Sequence, residues 1–120
     1  MQRYFDDFAE AHWNGASAGW PTVCETFDID LPEPDVLFAS YQSKGYEGSA
    51  LVIYRQDGKL YRVSGSHCSC YGLEGQWEPE ETTVALLRHE LNAAPKYGIV
   101  ESRTLDIWEA IKDAEETGNA

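Results

Sequence analysis

Positive charge is scarce in this sequence. The chain has nine lysine and arginine residues against 21 aspartate and glutamate residues, which gives a net charge of −12 over 120 residues. No lysine or arginine occurs between Arg3 and Lys44. A protein of this charge repels nucleic acid and anionic membranes and attracts basic surfaces, although acidity alone also favours solubility. We therefore expect neither direct nucleic-acid binding nor membrane binding.

Long apolar runs and a disulfide framework are missing as well. No stretch approaches the ~18 apolar residues of a membrane span. Asp6, Asp7 and Glu10 stand where a signal peptide would carry cations and an apolar region. Three cysteines are too few for a secreted disulfide scaffold, so we expect free thiols in a cytoplasmic protein. The hydrophobic share of 42% suits one modest core, and we expect a single domain spanning 1–120.

The best local structural signal is a β-hairpin at the middle of the chain. Two strand-like stretches lie on either side of Asp57-Gly58. Glycine accepts the positive φ that a type I′ turn requires. A two-residue turn places Tyr54 opposite Tyr61 and Val52 opposite Val63. The predicted hairpin strands are 49–56 and 59–64.

Periodicity and turn residues predict the other elements. They predict amphipathic helices over 4–13, 83–93 and 104–116, a strand over 36–41 and a short strand over 22–27. In the last helix the expected apolar stripe is Leu105, Trp108, Ile111 and Lys112, with Ile107 and Ala114 beside it. The predicted fold is α+β, with a small antiparallel sheet of three to four strands and two or three helices packed on one face.

A cysteine-rich segment holds the residues that most resemble a chemical site. His67, Cys68 and Cys70, with Cys24, could in principle bind zinc or form a reactive thiol site. Adjacent residues of an extended chain point to opposite sides, so His67 is badly placed to act together with Cys68. We expect Cys68 and Cys70 to be small buried residues, with no metal, cofactor or catalytic residue. A zinc- or thiol-dependent protein stays the alternative.

Two stretches carry a resemblance to known proteins. At GSALVIY (48–54) and above all at SHCSCYGLEGQWEPE (66–80), the sequence resembles a group of small acidic proteins encoded by tailed bacteriophages and prophages. The resemblance covers residues 20–92 and brings no known chemistry with it. It implies a phage context, in which small acidic proteins without an enzymatic motif are often anti-CRISPR or anti-restriction antagonists of host defence, with carboxylates in place of phosphates.

These observations predict a non-enzymatic inhibitor in the host cytoplasm that binds a basic, nucleic-acid-acting host protein or nucleoprotein complex. If residues 28–30 are extended, Asp28 and Asp30 project on the same side about 6.6 Å apart. A small phage regulatory protein without mimicry is a further alternative. The predicted charged contacts are Asp28, Asp30, Glu33, Asp35, Glu78, Glu80 and Glu81, and the predicted aromatic anchors are Trp20, Tyr46 and Tyr71.

Overall fold

The computed structural model describes residues 3–10, 18–44, 47–67, 72–92 and 103–117. In these ranges a five-stranded mixed sheet has its strands in the order of the sequence, and none of the helices is long and apolar enough to cross a membrane. The elements are β1 (Tyr4–Asp6), a 3₁₀ turn (Asp7–Ala9), α1 (Trp20–Phe27), β2 (Asp35–Lys44), β3 (Glu47–Gln56), β4 (Lys59–His67), β5 (Glu80–Thr82), α2 (Val84–Asn92) and α3 (Thr104–Thr117).

The predicted central hairpin is confirmed. β3 and β4 pair antiparallel, with Tyr54 opposite Tyr61 and Val52 opposite Val63. Asp57 and Gly58 both have positive φ, at 55° and 77°, as a type I′ turn requires. Both strands extend beyond the predicted bounds, to Glu47 in β3 and to His67 in β4.

The sheet has more strands than predicted, and it is mixed. β1 runs parallel to β2, whereas the other neighbours are antiparallel. β1 and β5 contain three residues each, which is too short for a period-two pattern to be recognised in the sequence. The α+β class is confirmed, while the count of three to four strands and the purely antiparallel arrangement were wrong.

Helices pack on both faces of the sheet, so the prediction of one covered face was also wrong. Successive β3 residues point to opposite faces. On the two-helix face, α2 and α3 pack on a core of Phe5, Leu37, Phe38, Leu51, Ile53, Leu60, Val84, Leu87, Leu91, Ile107, Ala110, Ile111 and Ala114. On the opposite face, here the α1 face, the core consists of Phe8, Trp20, Val23, Phe27, Val36, Ala39, Ala50, Val52, Tyr54, Val63 and Leu73.

A β-bulge fits β2 to both cores. The pairing register of β2 with β3 shifts between Val36 and Phe38. Regular alternation would send Leu37 and Phe38 to opposite faces, but both residues lie in the core of the two-helix face. The predicted strand over 36–41 is confirmed and lies inside the longer β2.

Two segments near the N-terminus differ in secondary structure from the prediction, a helix standing where a strand was predicted and a strand where a helix was predicted. Residues 22–27 belong to helix α1 and not to a strand, since Gly19 precedes the helix with φ of 90° and Pro21 stands in its first turn, where proline is tolerated. The predicted helix over 4–13 is a strand and a 3₁₀ turn across its described part, residues 4–10. Asp6, with φ of 58° and ψ of −130°, interrupts any helix there.

Both C-terminal helices are confirmed, with one correction to the buried stripe. α3 buries Ile107, Ala110, Ile111 and Ala114. Leu105, predicted to be in the stripe, is 80% exposed, and Lys112 is also exposed. The buried positions follow the i, i+3, i+4, i+7 spacing from Ile107, so Ile107 and Ala114, predicted to flank the stripe, belong to it together with Ile111.

Candidate interaction surface

Residues 72–77, which follow Cys68 and Cys70 in the chain, pack against β4. The Gln76 side chain accepts a hydrogen bond from the Ser66 backbone N–H at 2.9 Å and donates to the Ser66 carbonyl at 2.7 Å, which imitates the pairing of another strand against β4. Leu73 is buried in the core of the α1 face. A Cβ at Gly65 would lie 3.0 Å from Leu73 Cδ2, so glycine lets this segment approach the sheet.

Trp77 completes an aromatic stack on the α1 face. Its ring lies nearly parallel to that of Tyr54, at 9° and 6.0 Å between centroids. Tyr54 in turn stacks on Tyr61 at 5.3 Å. Trp20 and Phe27 meet the Trp77 ring edge-on at 5.8 and 5.2 Å. Trp77 and Tyr61 are only half-buried, so they are the accessible aromatic residues of this cluster that the sequence did not single out.

Trp20 is not the exposed anchor that we predicted. Its side chain is 7% exposed, and its indole Nε1 donates a hydrogen bond to the Leu31 carbonyl at 2.7 Å. Its glycine- and proline-rich neighbours suggested a loop, but they begin helix α1, which buries the ring. The other two predicted anchors, Tyr46 and Tyr71, lie outside the described residues.

Asp28 and Asp30 are exposed but do not form a regular extended pair. Asp28 ends α1 in the left-handed conformation, with φ of 56° and ψ of 54°, and its N–H donates to the carbonyl oxygens of Cys24 and Glu25. This conformation contradicts the predicted line of carboxylates about 6.6 Å apart. Among the described residues neither carboxylate has an ion-pair partner.

Glu33 and Asp35, two of the predicted charged contacts, are exposed, and both have partners within the chain. Glu33 accepts a 2.6 Å hydrogen bond from the Tyr4 hydroxyl. Burial raises the pKa of Tyr4 well above its ordinary value, and Glu33 raises it further. Asp35 lies 3.2 Å from Arg3 and 3.7 Å from Arg55. These two carboxylates therefore stabilise the fold around β2, and their charge is partly satisfied.

The predicted contacts near β5 are exposed. Glu78 is separated from β5 by one residue, and Glu80 and Glu81 lie within the strand. In the β4–β5 register Glu80 lies opposite Arg62 and Glu81 lies opposite Tyr61. The side chains of Glu80 and Glu81 therefore point to opposite faces of the sheet. Glu81 forms an ion pair with Lys59 at 3.6 Å.

An acidic cleft on the α1 face was not predicted. It has a volume of about 500 Å³, and four carboxylates line it, from Asp7, Glu10, Glu25 and Glu74. Its lining within the described residues contains no lysine or arginine. Tyr41 also lines it; burial raises the pKa of the Tyr41 hydroxyl, and the Asp7 and Glu74 carboxylates raise it further. Such a cleft favours the binding of a cationic group.

The acidic cleft combines residues from separate parts of the chain. Asp7 and Glu10 come from the turn after β1, Glu25 from α1 and Glu74 from the loop before β5. One local pattern could have indicated the cleft. Thr22, Glu25 and Thr26 share a face only if residues 20–27 are helical. A strand was predicted there, and the cleft was missed with it.

The described thiol is poorly suited to nucleophilic chemistry. Cys24 lies in α1 and is a free, half-buried thiol. Burial raises the pKa of Cys24, and the neighbouring Asp30 and Glu33 carboxylates raise it further, so the reactive thiolate is disfavoured. No group of three or more metal-binding side chains occurs within the described ranges. Cys68, Cys70 and the His67 side chain lie outside them.

A charged network holds the β1 edge of the sheet to α3. Arg103 Nη2 donates to Asp6 Oδ1 at 2.9 Å, while Ser40 and Gln42 donate to Asp6 Oδ2 at 2.5 and 3.1 Å. Partial burial raises the pKa of Asp6, but the hydrogen bond from Arg103 and those from the two polar side chains outweigh it and hold the pKa below its ordinary value. The network fixes the strained Asp6 backbone.

Comparisons with protein-family models, with curated proteins and with solved structures find no match to this chain.

Proposed function

We propose that this protein is a non-enzymatic, acidic inhibitor that binds the basic, nucleic-acid-contacting surface of a host defence protein or nucleoprotein complex. The observation that carries the proposal is the acidic cleft of the α1 face, which four carboxylates line and which has no lysine or arginine among its described lining residues. Glu25 lines the acidic cleft and Asp28 ends the same helix, α1. Asp28 and Asp30 are outside the cleft lining and add exposed negative charge at the C-terminal end of the same helix and in the loop that follows it.

Electrostatics gives this surface a class of partner. Proteins that act on nucleic acid present lysine and arginine to the phosphates, so their binding surfaces are basic. Carboxylates that have no cation within the described part of the chain are free to interact with such a surface. They accelerate association with it and discriminate against acidic partners. A partner covered in this way can no longer bind its nucleic acid.

The resemblance to small phage and prophage proteins supports the host-defence context. It implies an anti-CRISPR or anti-restriction role in the host cytoplasm. The raised pKa of Cys24 disfavours thiol chemistry at that residue. The Glu78, Glu80 and Glu81 cluster adds negative charge at the opposite edge of the sheet from β1.

The structure changes which carboxylates should be substituted in a test. Reversing Glu33 and Asp35 would remove the contacts with Tyr4, Arg3 and Arg55, so loss of binding in such a variant could arise from loss of fold. Asp28→Lys with Asp30→Lys changes the charge by the same amount without breaking a described ion pair. Glu109→Lys with Glu116→Lys on α3 is the matched control, since both residues are exposed on the two-helix face.

The test is an affinity capture from host lysate with the native chain and both double variants, at low and moderate ionic strength. The proposal predicts one nucleic-acid-acting protein or complex that the native chain and the α3 control retain, that the Asp28/Asp30 variant loses, and that salt releases. Phage survival against the corresponding defence system should follow the same order. Equal retention by all three chains, or retention of no nucleic-acid-acting protein, would overturn the proposal.

A further inference from the structure

The aromatic stack of the α1 face ends beside a carboxylate at the edge of the sheet. The cross-strand register places Tyr54 beside Tyr61 and Tyr61 beside Glu81, in a row that runs from β3 through β4 to β5. One face of the Tyr61 ring packs on Tyr54. Its other neighbour along the row is Glu81, whose side chain is 60% exposed. An aromatic ring of β4 and a carboxylate of the edge strand β5 thus lie side by side.

The chain already shows which group such a pair binds. At the opposite edge of the sheet, the guanidinium of Arg103 lies 5.0 Å from the centre of the Phe5 ring and donates to the Asp6 carboxylate at 2.9 Å. Arginine suits this arrangement because its planar group can stack on a ring and donate hydrogen bonds in the same plane. At the β5 edge Glu81 pairs with Lys59, whose side chain is 58% exposed and whose ammonium lies 3.6 Å from the carboxylate.

We propose that Tyr61 and Glu81 form a receiving site for an arginine side chain of the basic partner, with the guanidinium stacked on the outer face of Tyr61 and hydrogen-bonded to Glu81. This inference rests on the proposed function, since it names one contact within the same interaction. An exposed lysine–glutamate pair such as Lys59–Glu81 contributes little stability, so an incoming guanidinium can displace the ammonium from the carboxylate. Tyr61 is half-buried, whereas Tyr54 beside it on the central strand β3 is buried.

The test compares an oligoarginine peptide with an oligolysine peptide of equal length, bound to the full chain at one ionic strength. A charge-only surface binds both peptides alike, whereas ring stacking favours arginine by about two- to fivefold. Tyr61→Thr should abolish this preference, while Tyr61→Phe, which keeps the ring, should retain it. Equal binding of the two peptides by the native chain, or a preference that persists in folded Tyr61→Thr, would overturn the site.

A second variant keeps the test valid if Tyr61→Thr fails to fold. Glu81→Gln should lower the affinity for oligoarginine more than Glu80→Gln does, since both changes remove one charge but Glu80 points to the other face. Equal losses in these two variants would also overturn the site. Salt-dependent binding of both peptides with equal affinity would leave the proposed function intact, whereas no salt-dependent binding of either peptide would count against both proposals.

Discussion

The two faces of the sheet differ in how they are covered and in how their charges are paired. On the two-helix face, α2 and α3 seal the core, and ion pairs of 2.8 and 2.6 Å join Arg62 to Glu90 and Arg88 to Glu115. The α1 face has an eight-residue helix, and Tyr4, Tyr41, Tyr61 and Trp77 pack half-buried around its core. Its cleft carboxylates have no lysine or arginine among the described lining residues. Ion pairs thus link the helices of one face to the sheet and to each other, while the other face carries an acidic cleft and half-buried aromatic rings.

The largest effect should come from removing a ring at the centre of the α1 face. Phe27 is fully buried and packs against both Trp77 and Phe8. Phe27→Ala should lower the free energy of unfolding by about 3–5 kcal/mol, which urea denaturation would measure. The exposed Leu105→Ala on the two-helix face is the control and should change it by less than about 0.5 kcal/mol. A loss below about 1 kcal/mol for Phe27→Ala would mean that the α1 face is not a true core.

A methyl group at Gly65 should destabilise the α1 face by a smaller amount. Its Cβ would lie 3.0 Å from Leu73 Cδ2, 3.1 Å from Gln76 Oε1 and 3.3 Å from Phe27 Cε1. Gly65→Ala should therefore lower the free energy of unfolding by about 1–3 kcal/mol through overpacking. Ser66→Ala, an exposed neighbour, is the control in the same denaturation series. If the two variants are equally stable, the packing described for the 72–77 segment is incorrect.

The Asp6 network should make stability depend on pH in acid. Since the pKa of Asp6 is held below its ordinary value, the carboxylate contributes stability above the unfolded pKa of about 3.9 and loses that contribution as the pH falls through the lower folded value. Asp6→Asn should cost about 1–3 kcal/mol at neutral pH, because Arg103 loses one of its two charged partners and keeps only Asp106. This loss should shrink in acid. A loss that stays constant from neutral pH down to pH values below the folded pKa would contradict the assignment.

Sequence reasoning succeeded where local patterns decide the structure. Asp57-Gly58 determines the hairpin by its turn chemistry, and α2 and α3 are recognisable from their apolar spacing and flanking residues. It failed where tertiary packing decides. α1 begins with residues that usually break helices, and its stability comes from burying Trp20, Val23 and Phe27 against the sheet.

The candidate site was harder to predict than the fold. The charge of Asp28 and Asp30 was readable, but the partners of Glu33 and Asp35 are Tyr4, Arg3 and Arg55, which are distant in sequence. The acidic cleft draws its carboxylates from separate elements for the same reason. Side-chain exposure is likewise decided by tertiary contacts, so Trp20 was taken for an anchor while Trp77 and Tyr61 were overlooked.

The most direct test of the difference between the two faces is the association rate constant with the captured partner, measured against ionic strength. The native chain, Asp28→Lys/Asp30→Lys and Glu109→Lys/Glu116→Lys would be compared. The two variants have the same net charge, so only the position of the change differs. We expect charge reversal at Asp28 and Asp30 to slow association by about tenfold or more at low salt. Charge reversal at Glu109 and Glu116 on α3 should slow it much less. Equal slowing by both variants would show that net charge, and not the α1 face, controls binding.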